Sequence, residues 1–256
     1  MAIPVSTLLL LFIVRMAQLA THPAPHFTAK LSAFDDNKSP FETVSVHQQH
    51  THVDNVAKFD PRTIDALLRK QSQSHPNEPI LAYPNEHGEY VEYTYRQLDI
   101  FAFRVAQKYA GIIPQRQSSS EKERVVGLLG ASNLDYFITV LALSKLGFTV
   151  LFLSTRISNI AYQSLLEGTS SCHLLVDSSF TEIAKDLQVK IPSLVVGEIA
   201  PSSVFQSALA NERNTRLDKN LNPEVEATKI SWIIHSSGST GLPKPIYQTH
   251  QAALNK

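Results

Sequence analysis

The sequence predicts an α/β fold in which βαβ units build a mostly parallel sheet. Short apolar runs alternate with amphipathic stretches of about 10–14 residues, the pattern of strands joined by crossover helices. Most of these runs are apolar without interruption, as in strands that are covered on both faces. The chain has 256 residues, 43% hydrophobic and 18% charged, which is enough to bury a sizeable core.

Seven apolar runs are predicted as strands before a polar loop near the C-terminus, and one more follows that loop. In chain order they are Pro79–Tyr83, Glu89–Tyr93, Val125–Leu129, Phe148–Leu153, His173–Val176, Ile191–Val196, Ile230–Ile234 and, after the loop, Ile246–Thr249. Residues 197–228 lose the alternation and become polar, so we expect them to form a surface excursion.

Helices are predicted between the strands from their start and stop signals. Asp60 and Pro61 would open the first helix, and Thr94 with Gln97 forms a capping-box pattern opening a second that runs to about Tyr109. The other predicted helices are one that Asn133 opens and Gly147 closes, Ile157–Glu167 and Phe180–Leu187.

The N-terminal segment, residues 1–58, is predicted to be a poorly ordered leader, and residues 59–256 a partial domain. An apolar run of about ten residues, 5–14, is short for a membrane span and has no Lys or Arg before it. A weak secretory signal, a membrane anchor and a wrongly assigned start or accidental apolar leader are the alternatives. We favour the last, because the rest of the chain has cytoplasmic character.

The composition argues against several classes of function. Lys plus Arg equals Asp plus Glu at 23 each, so no basic excess points to nucleic acid. A single cysteine, Cys172, excludes an internal disulfide and favours the cytoplasm, and we expect it to be a buried, inert thiol. The histidines at 47, 50 and 52 fit a solvated loop better than a metal site, and no metal site is predicted.

The strongest functional signal is a polar loop directly after the strand Ile230–Ile234. Its glycines allow positive φ and close backbone approach, its hydroxyls are rotatable donors, and its lysine supplies a point charge, which together suit an anion. The candidate phosphate-binding residues are Ser236, Ser237, Gly238, Ser239, Thr240, Gly241 and Lys244.

Two alternatives compete with this interpretation. A Ser/Gly-rich linker has a similar composition, but it would not pass directly from one apolar strand into another. A Walker A loop would place Lys244 correctly when counted from Gly238, yet Pro243 and Pro245 stand where that motif needs Gly and Ser or Thr. A structure without a helix after Gly241 would exclude the Walker A alternative.

The segment 236–244, read Ser-Ser-Gly-Ser-Thr-Gly-Leu-Pro-Lys, resembles the phosphate loop of the AMP-binding, adenylate-forming superfamily. That family includes acyl-CoA ligases, luciferases and the adenylation domains of nonribosomal peptide synthetases. Residues 93–98 and 143–151 are similar to two earlier family elements, so the resemblance covers about residues 60–256. The chain departs from the usual family pattern at two places, with Pro245 in place of Gly and the segment 153–156 in place of Pro-x-x. Both departures resemble features of fungal synthetase-like proteins.

The resemblance implies ATP-dependent activation of a small-molecule carboxylic acid to an acyl-adenylate, with Mg²⁺ accompanying ATP. Hydroxyls of the loop would donate to the β- and γ-phosphates, and Lys244 would either pair with them or brace the loop. A carrier domain with a phosphopantetheine arm is the implied partner in a full-length enzyme. The flanking His235 and His250 could line the acid pocket or simply pack.

The family's remaining functional elements follow the phosphate loop, and only twelve residues follow Lys244. The resemblance therefore implies that no complete catalytic set is present and that the large N-terminal domain is incomplete. We expect a fragment without full adenylation activity. The alternative is a non-catalytic remnant that binds nucleotide weakly or serves a partner.

Overall fold

The computed structural model describes residues 61–85, 87–207, 221–236 and 241–254. The predictions for the leader, residues 1–58, therefore lie outside the described residues, as do those for the loop positions 237–240. None of the helices in the described ranges is long and apolar enough to cross a membrane.

Eight strands and eight α-helices make up the described part of the chain. The strands are β1 Pro79–Pro84, β2 Tyr90–Thr94, β3 Val125–Leu129, β4 Thr149–Leu153, β5 His173–Val176, β6 Val195–Glu198, β7 Ile230–Ser236 and β8 Lys244–Thr249. The helices are α1 Ile64–Ser74, α2 Tyr95–Ala110, α3 Leu134–Lys145, α4 Asn159–Gly168, α5 Thr181–Lys190, α6 Ser202–Phe205, α7 Pro223–Thr228 and α8 His250–Leu254.

The main sheet has six strands in the order β6-β5-β3-β4-β7-β8. The first five are mutually parallel, and β8 alone runs antiparallel, against β7. The strands β1 and β2 form a separate antiparallel hairpin. The predicted α/β fold with a mostly parallel sheet is therefore confirmed.

Helices cover both faces of this sheet. The helices α1, α2 and α3 pack in one hydrophobic cluster with side chains such as Leu128, Phe152 and Trp232. The helices α4 and α5 pack in a second cluster with the alternate strand residues, including Leu129 and Ile233. Because successive side chains of a strand point to opposite faces, the uninterrupted apolar runs supply both clusters.

The capping signals explain where the helices start. Thr94 and Gln97 form the predicted capping box, with Thr94 N donating to Gln97 Oε1 over 2.8 Å and Gln97 N donating to Thr94 Oγ1 over 3.3 Å. The first helix starts later than predicted. Its N-cap is Thr63, whose hydroxyl accepts from the backbone N–H of Ala66, and Asp60 lies outside the described residues.

Two element predictions were wrong. The strand predicted at Ile191–Val196 lies at Val195–Glu198, because Ile191 still closes α5 and Pro192 has no N–H for a ladder. The excursion predicted for residues 197–228 contains α6 and α7 in its described parts, 197–207 and 221–228, and residues 208–220 lie outside the described residues. The buried Phe205 of α6 packs its ring 5.1 Å from that of Phe101.

The thiol of Cys172 is also not where the sequence suggested. It is exposed at the amino end of β5, whereas its neighbour His173 is buried. Cys172 directly precedes the strand, so it is outside the run whose side chains alternate between the two covered faces. A short apolar window does not reveal at which residue burial begins.

A buried charge cluster joins the three helices on one face of the sheet, and the sequence did not reveal it. Lys145 Nζ of α3 lies 2.8 Å from Asp65 Oδ1 of α1 and 2.6 Å from Asp99 Oδ1 of α2. Burial alone lowers the pKa of Lys145, but the two carboxylates outweigh it and raise the pKa above its ordinary value. The cluster therefore keeps Lys145 charged inside the protein.

Candidate phosphate-binding site

The candidate site lies at the end of the hairpin that β7 and β8 form at one edge of the sheet. The last pair of the ladder joins Ser236 to Lys244, so residues 237–243 are closed into a loop by hydrogen-bonded strands. β7 is also parallel to β4, with Leu151 opposite Ile233. Since carboxyl ends of parallel strands meet at one edge, the loop starts beside the end of β4, where α/β proteins bind ligands.

Three of the seven candidate phosphate-binding residues lie in the described ranges. Ser236 is half-buried at the end of β7, while Gly241 and Lys244 are exposed on the returning side of the loop. The other four, Ser237, Gly238, Ser239 and Thr240, lie outside the described residues. The structure thus brings Ser236 and Lys244 together at the base of one closed loop.

Gly241 has the left-handed backbone that the loop needs. Its φ is 100°, as the sequence predicted for this glycine, and a Cβ placed there would meet no atom within 4 Å. The constraint is therefore conformational rather than steric crowding. An L-residue at this φ strains the backbone, so glycine permits the chain to turn back towards β8.

Lys244 presents its charge to solvent at the first position of β8. Throughout the described ranges, no carboxylate lies within ion-pair distance of its ammonium. The bracing role that the sequence left open would need such a partner or a hydrogen bond to the loop. What the described residues show is a cation available to an anion.

The Walker A alternative is excluded by the backbone after the loop. A Walker A lysine begins a helix, whereas Lys244 begins a strand and Pro245 pairs with His235 in the ladder. The next helix starts only at His250. Pro245 is tolerated because β8 is the outer strand of the sheet as described, where a missing N–H need not break a ladder.

His235 precedes the loop and is held by a neighbouring strand end. Its Nε2 accepts a hydrogen bond from the backbone N–H of Ser154 over 3.2 Å. Because that N–H can only donate, the neutral ring must carry its proton on Nδ1. Burial lowers the pKa of His235, although the backbone of Ser236 favours the charged form. The ring is therefore in its neutral state near neutral pH.

His250 follows the hairpin and has a packing role. It is buried at 5% exposure, and its Nδ1 accepts from the backbone N–H of Ile64 in the first turn of α1 over 3.4 Å. Its own backbone N–H donates to Lys229 O over 3.0 Å. Of the two roles left open for His250, the structure supports packing.

The residues fit a phosphate better than a directly bound metal. A half-buried hydroxyl, a left-handed glycine and an exposed lysine at the mouth of a closed loop suit phosphate oxygens. Across the ranges described, no group of three His, Cys, Asp or Glu side chains is placed to hold a metal ion.

Sequence reasoning missed the Ser154 partner of His235. The two residues are 81 positions apart, and the contact depends on β4 and β7 being adjacent in the sheet. Strand order is not written in local patterns. The sequence signal was only indirect, since Ser154 and His235 each directly follow an apolar run that was predicted to be a strand.

Relatives in sequence and in structure identify the family of this chain. The sequence model of the family described as AMP-binding enzyme matches residues 68–256. Adenylate-forming reductase Nps10 of Heterobasidion annosum is 26% identical over 204 residues, covering 75% of this chain and 19% of that protein. An adenylate-forming reductase of Aspergillus terreus is 28% identical over 241 residues, covering 85% of this chain and 22% of that protein.

Solved structures show the same fold. The fatty acyl CoA synthetase of Mycobacterium tuberculosis superposes with a TM-score of 0.54 at 18% identity, over 74% of this chain and 35% of that one. The chain thus spans about a fifth of the length of those two reductases and about a third of this synthetase. The family match, over well more than half of the residues, shows that the chain belongs to the AMP-binding enzyme family.

Proposed function

We propose that this chain binds the polyphosphate of ATP in the activation of a carboxylic acid to an acyl-adenylate. The observation that carries the proposal is the closed hairpin loop with Lys244 exposed at its base, where no described carboxylate pairs with it. Membership of the AMP-binding family supports the general reaction. The proposed nucleotide is ATP, with Mg²⁺ bound together with its phosphates.

The proposed reaction is a displacement at phosphorus. A carboxylate oxygen of the acid attacks the α-phosphorus, the bond from that phosphorus to the bridging oxygen breaks, and pyrophosphate leaves with the electron pair. No covalent bond to the protein is required. The loop then acts by holding the leaving phosphates in line and by offsetting their charge.

Each described loop residue has a defined part in this proposal. Lys244 offsets the charge that builds up on the departing pyrophosphate, and the Ser236 hydroxyl donates to a phosphate oxygen. Gly241 lets the returning chain bring its backbone close to the phosphates. We extend the same donor role to Ser237, Ser239 and Thr240, and the same backbone role to Gly238, from their motif positions.

The acid and its acceptor are assigned from the family and not from a pocket in this chain. Two relatives are named as adenylate-forming reductases, and each is about five times longer than the matched segment. We propose a small-molecule carboxylic acid as substrate. Within a longer protein, the proposed acceptor is a carrier domain whose phosphopantetheine thiol receives the acyl group.

Binding of MgATP to the purified chain tests the proposal. Trp232, the sole tryptophan, lies on β7 four residues before Ser236 and supplies a fluorescence signal. We expect saturable binding that Lys244→Met weakens about ten-fold or more, since a hydrogen bond to a charged group contributes about 1.5–3 kcal/mol. Lys122→Met, an exposed lysine beside the amino end of β3, is the matched control and should bind like wild type.

Acid-dependent ATP–pyrophosphate exchange then separates turnover from binding alone. Exchange would show that the chain by itself activates an acid and would refute the expectation that it is an incomplete fragment. Saturable binding without exchange would support the phosphate-binding role and favour the non-catalytic alternative. Absence of MgATP binding in the wild-type chain would refute the proposed function.

A further inference from the structure

Two loops leave the same edge of the sheet side by side. The phosphate loop follows β7 at Ser236, and the β4–α4 loop, residues 154–158, follows β4. The two strands are parallel neighbours paired at Val150 with Trp232 and at Leu151 with Ile233. Their carboxyl ends therefore lie side by side at one edge of the sheet, which is where α/β proteins bind ligands.

A single side chain bridges the two loops. The ring of His235, on the last residue but one of β7, accepts the backbone N–H of Ser154 over 3.2 Å. Ser154 is the first residue after β4, where parallel-strand pairing has ended. The bond therefore extends the contact between the two strands beyond the sheet, up to the start of both loops.

Ser154 is itself fixed from two further directions. Its carbonyl accepts from the hydroxyl of Tyr162 on α4 over 2.9 Å, and its own hydroxyl accepts from the backbone N–H of Arg156 over 3.3 Å. Tyr162 is buried at 1% exposure. The start of the β4–α4 loop is thus held by helix α4, by its own backbone and by His235 at once.

The held loop carries a cation to the edge where Lys244 lies. Thr155 and Arg156 follow Ser154, and both are exposed. Within the described part of the chain, no carboxylate forms an ion pair with the Arg156 guanidinium. An exposed guanidinium without a carboxylate partner, two residues beyond a rigidly held loop start, suits a phosphate, which it can bind through two parallel hydrogen bonds.

We propose that the β4–α4 loop forms a second wall of the polyphosphate site, with Arg156 as its cation, and that His235 is the positioning residue that holds this wall against the phosphate loop. The inference rests on the proposed function and deepens it, because it names a second segment that contacts the polyphosphate. His235 acts through Ser154 and not on the nucleotide.

Two substitutions at His235 separate the hydrogen bond from simple packing. Glutamine can place an acceptor oxygen close to where Nε2 lies, whereas asparagine is shorter and reaches only the region of Nδ1. Both remove the ring. His235→Gln should therefore retain the bond to Ser154, and His235→Asn should lose it with a comparable loss of ring packing.

The first measurement needs no nucleotide. In ¹⁵N-resolved hydrogen exchange of the full 256-residue chain, we expect the Ser154 amide to be protected in wild type and in His235→Gln. In His235→Asn, protection of the Ser154 amide should fall at least about ten-fold, because an amide without its acceptor exchanges freely. Equal protection in all three proteins would overturn the positioning role. Urea midpoints of the variants verify that each protein is folded before it is compared.

The second measurement is affinity for MgATP and for Mg-tripolyphosphate, read by Trp232 fluorescence. We expect His235→Asn to weaken both ligands about ten-fold, His235→Gln to stay within about two-fold of wild type, and Arg156→Ala to weaken both several-fold. In a double-mutant cycle, Arg156→Ala should lose most of its effect in the His235→Asn background.

The outcomes distinguish this inference from the proposed function. If wild type binds and Lys244→Met weakens binding, but neither Arg156→Ala nor His235→Asn does, the second wall is refuted and the phosphate loop stands. If His235→Gln binds as weakly as His235→Asn, the ring and not its acceptor matters, which also refutes the positioning role. If wild type binds neither ligand, the proposed function and the second wall fail together.

Discussion

Two lysines in this chain have opposite surroundings. Lys145 lies between helices α1, α2 and α3, buried against the carboxylates of Asp65 and Asp99. Lys244 stands exposed at the end of the β7–β8 hairpin, without a carboxylate partner among the described residues. The first charge is satisfied inside the protein, and the second is available to a ligand.

The contrast shows how to tell a structural polar cluster from a binding site. Removing one member of a buried charge cluster takes a counter-charge away from the others in a poorly hydrated place, which destabilises the fold. Removing an exposed cation costs the fold little and alters only what binds there. Substitutions in both kinds of place test this distinction, from the largest expected effect to the smallest.

Lys145→Met should lower the free energy of unfolding by about 3–5 kcal/mol, because the buried Asp99 would lose the cation beside it and Asp65 would keep only its ion pair with the partly exposed Arg69. Lys244→Met should change it by less than about 0.5 kcal/mol. Urea unfolding followed by Trp232 fluorescence measures both. Similar losses in the two variants would contradict the distinction between a structural and a binding lysine.

Glu226→Gln should lower the free energy of unfolding by about 2 kcal/mol, because it leaves the guanidinium of Arg116, 2% exposed and 2.5 Å from Glu226, without a counter-charge. Glu224→Gln on the same helix α7 is the control, since Glu224 is 71% exposed and should change stability by less than about 0.5 kcal/mol. The comparison is made by urea unfolding. If MgATP affinity falls with stability in Glu226→Gln, the pair supports the site as well as the fold.

Gly241→Ala should cost about 1 kcal/mol, because its φ of 100° strains a residue with a side chain although the space is open. Gly168→Ala is the control, as Gly168 closes α4 without a positive φ and a methyl added there would meet no atom within 4 Å. It should leave stability unchanged or raise it slightly. Thermal unfolding and MgATP titration are the measurements. If Gly241→Ala is as stable as wild type and binds MgATP equally well, the positive φ of Gly241 does not constrain the loop.

The stability of the folded chain should fall as pH drops below about 6.5, with a small contribution from His173. Burial, and then the charge of Arg124, lower the pKa of His173 below its ordinary value of 6.5. The unfolded chain therefore takes up this proton first, so the contribution is present above about pH 6.5 and is lost as the pH falls through the folded pKa. His173→Gln should reduce this slope in urea midpoints. An unchanged slope would assign the effect to other groups, such as His235.

Much of the fold could be predicted because the local signals agreed with the final structure. The strand Val125–Leu129 and the strand His173–Val176 have the predicted bounds, and the capping box at Thr94 formed as expected. Gly147, predicted to close a helix, has a φ of 73°. These features depend on a few consecutive residues, whose backbone preferences and periodicity are readable in the chain itself.

The errors lie where burial is decided by distant segments. Residues 197–228 are polar on average, yet Phe205 is fully buried against Phe101, a residue far earlier in the chain. Cys172 was expected inside and is exposed. In both cases the local composition was a poor guide, because exposure is set by what packs against a residue.

By itself, the sequence determined the candidate phosphate-binding segment 236–244 and its family resemblance, and Pro243 and Pro245 counted against a Walker A interpretation. These follow from local chemistry, because the presence of an N–H, a hydroxyl or a side chain is a property of each residue. Only the tertiary structure placed the loop beside the β4–α4 loop and joined His235 to Ser154. Strand order decides that contact, and strand order results from the packing of the whole sheet between its two helical layers.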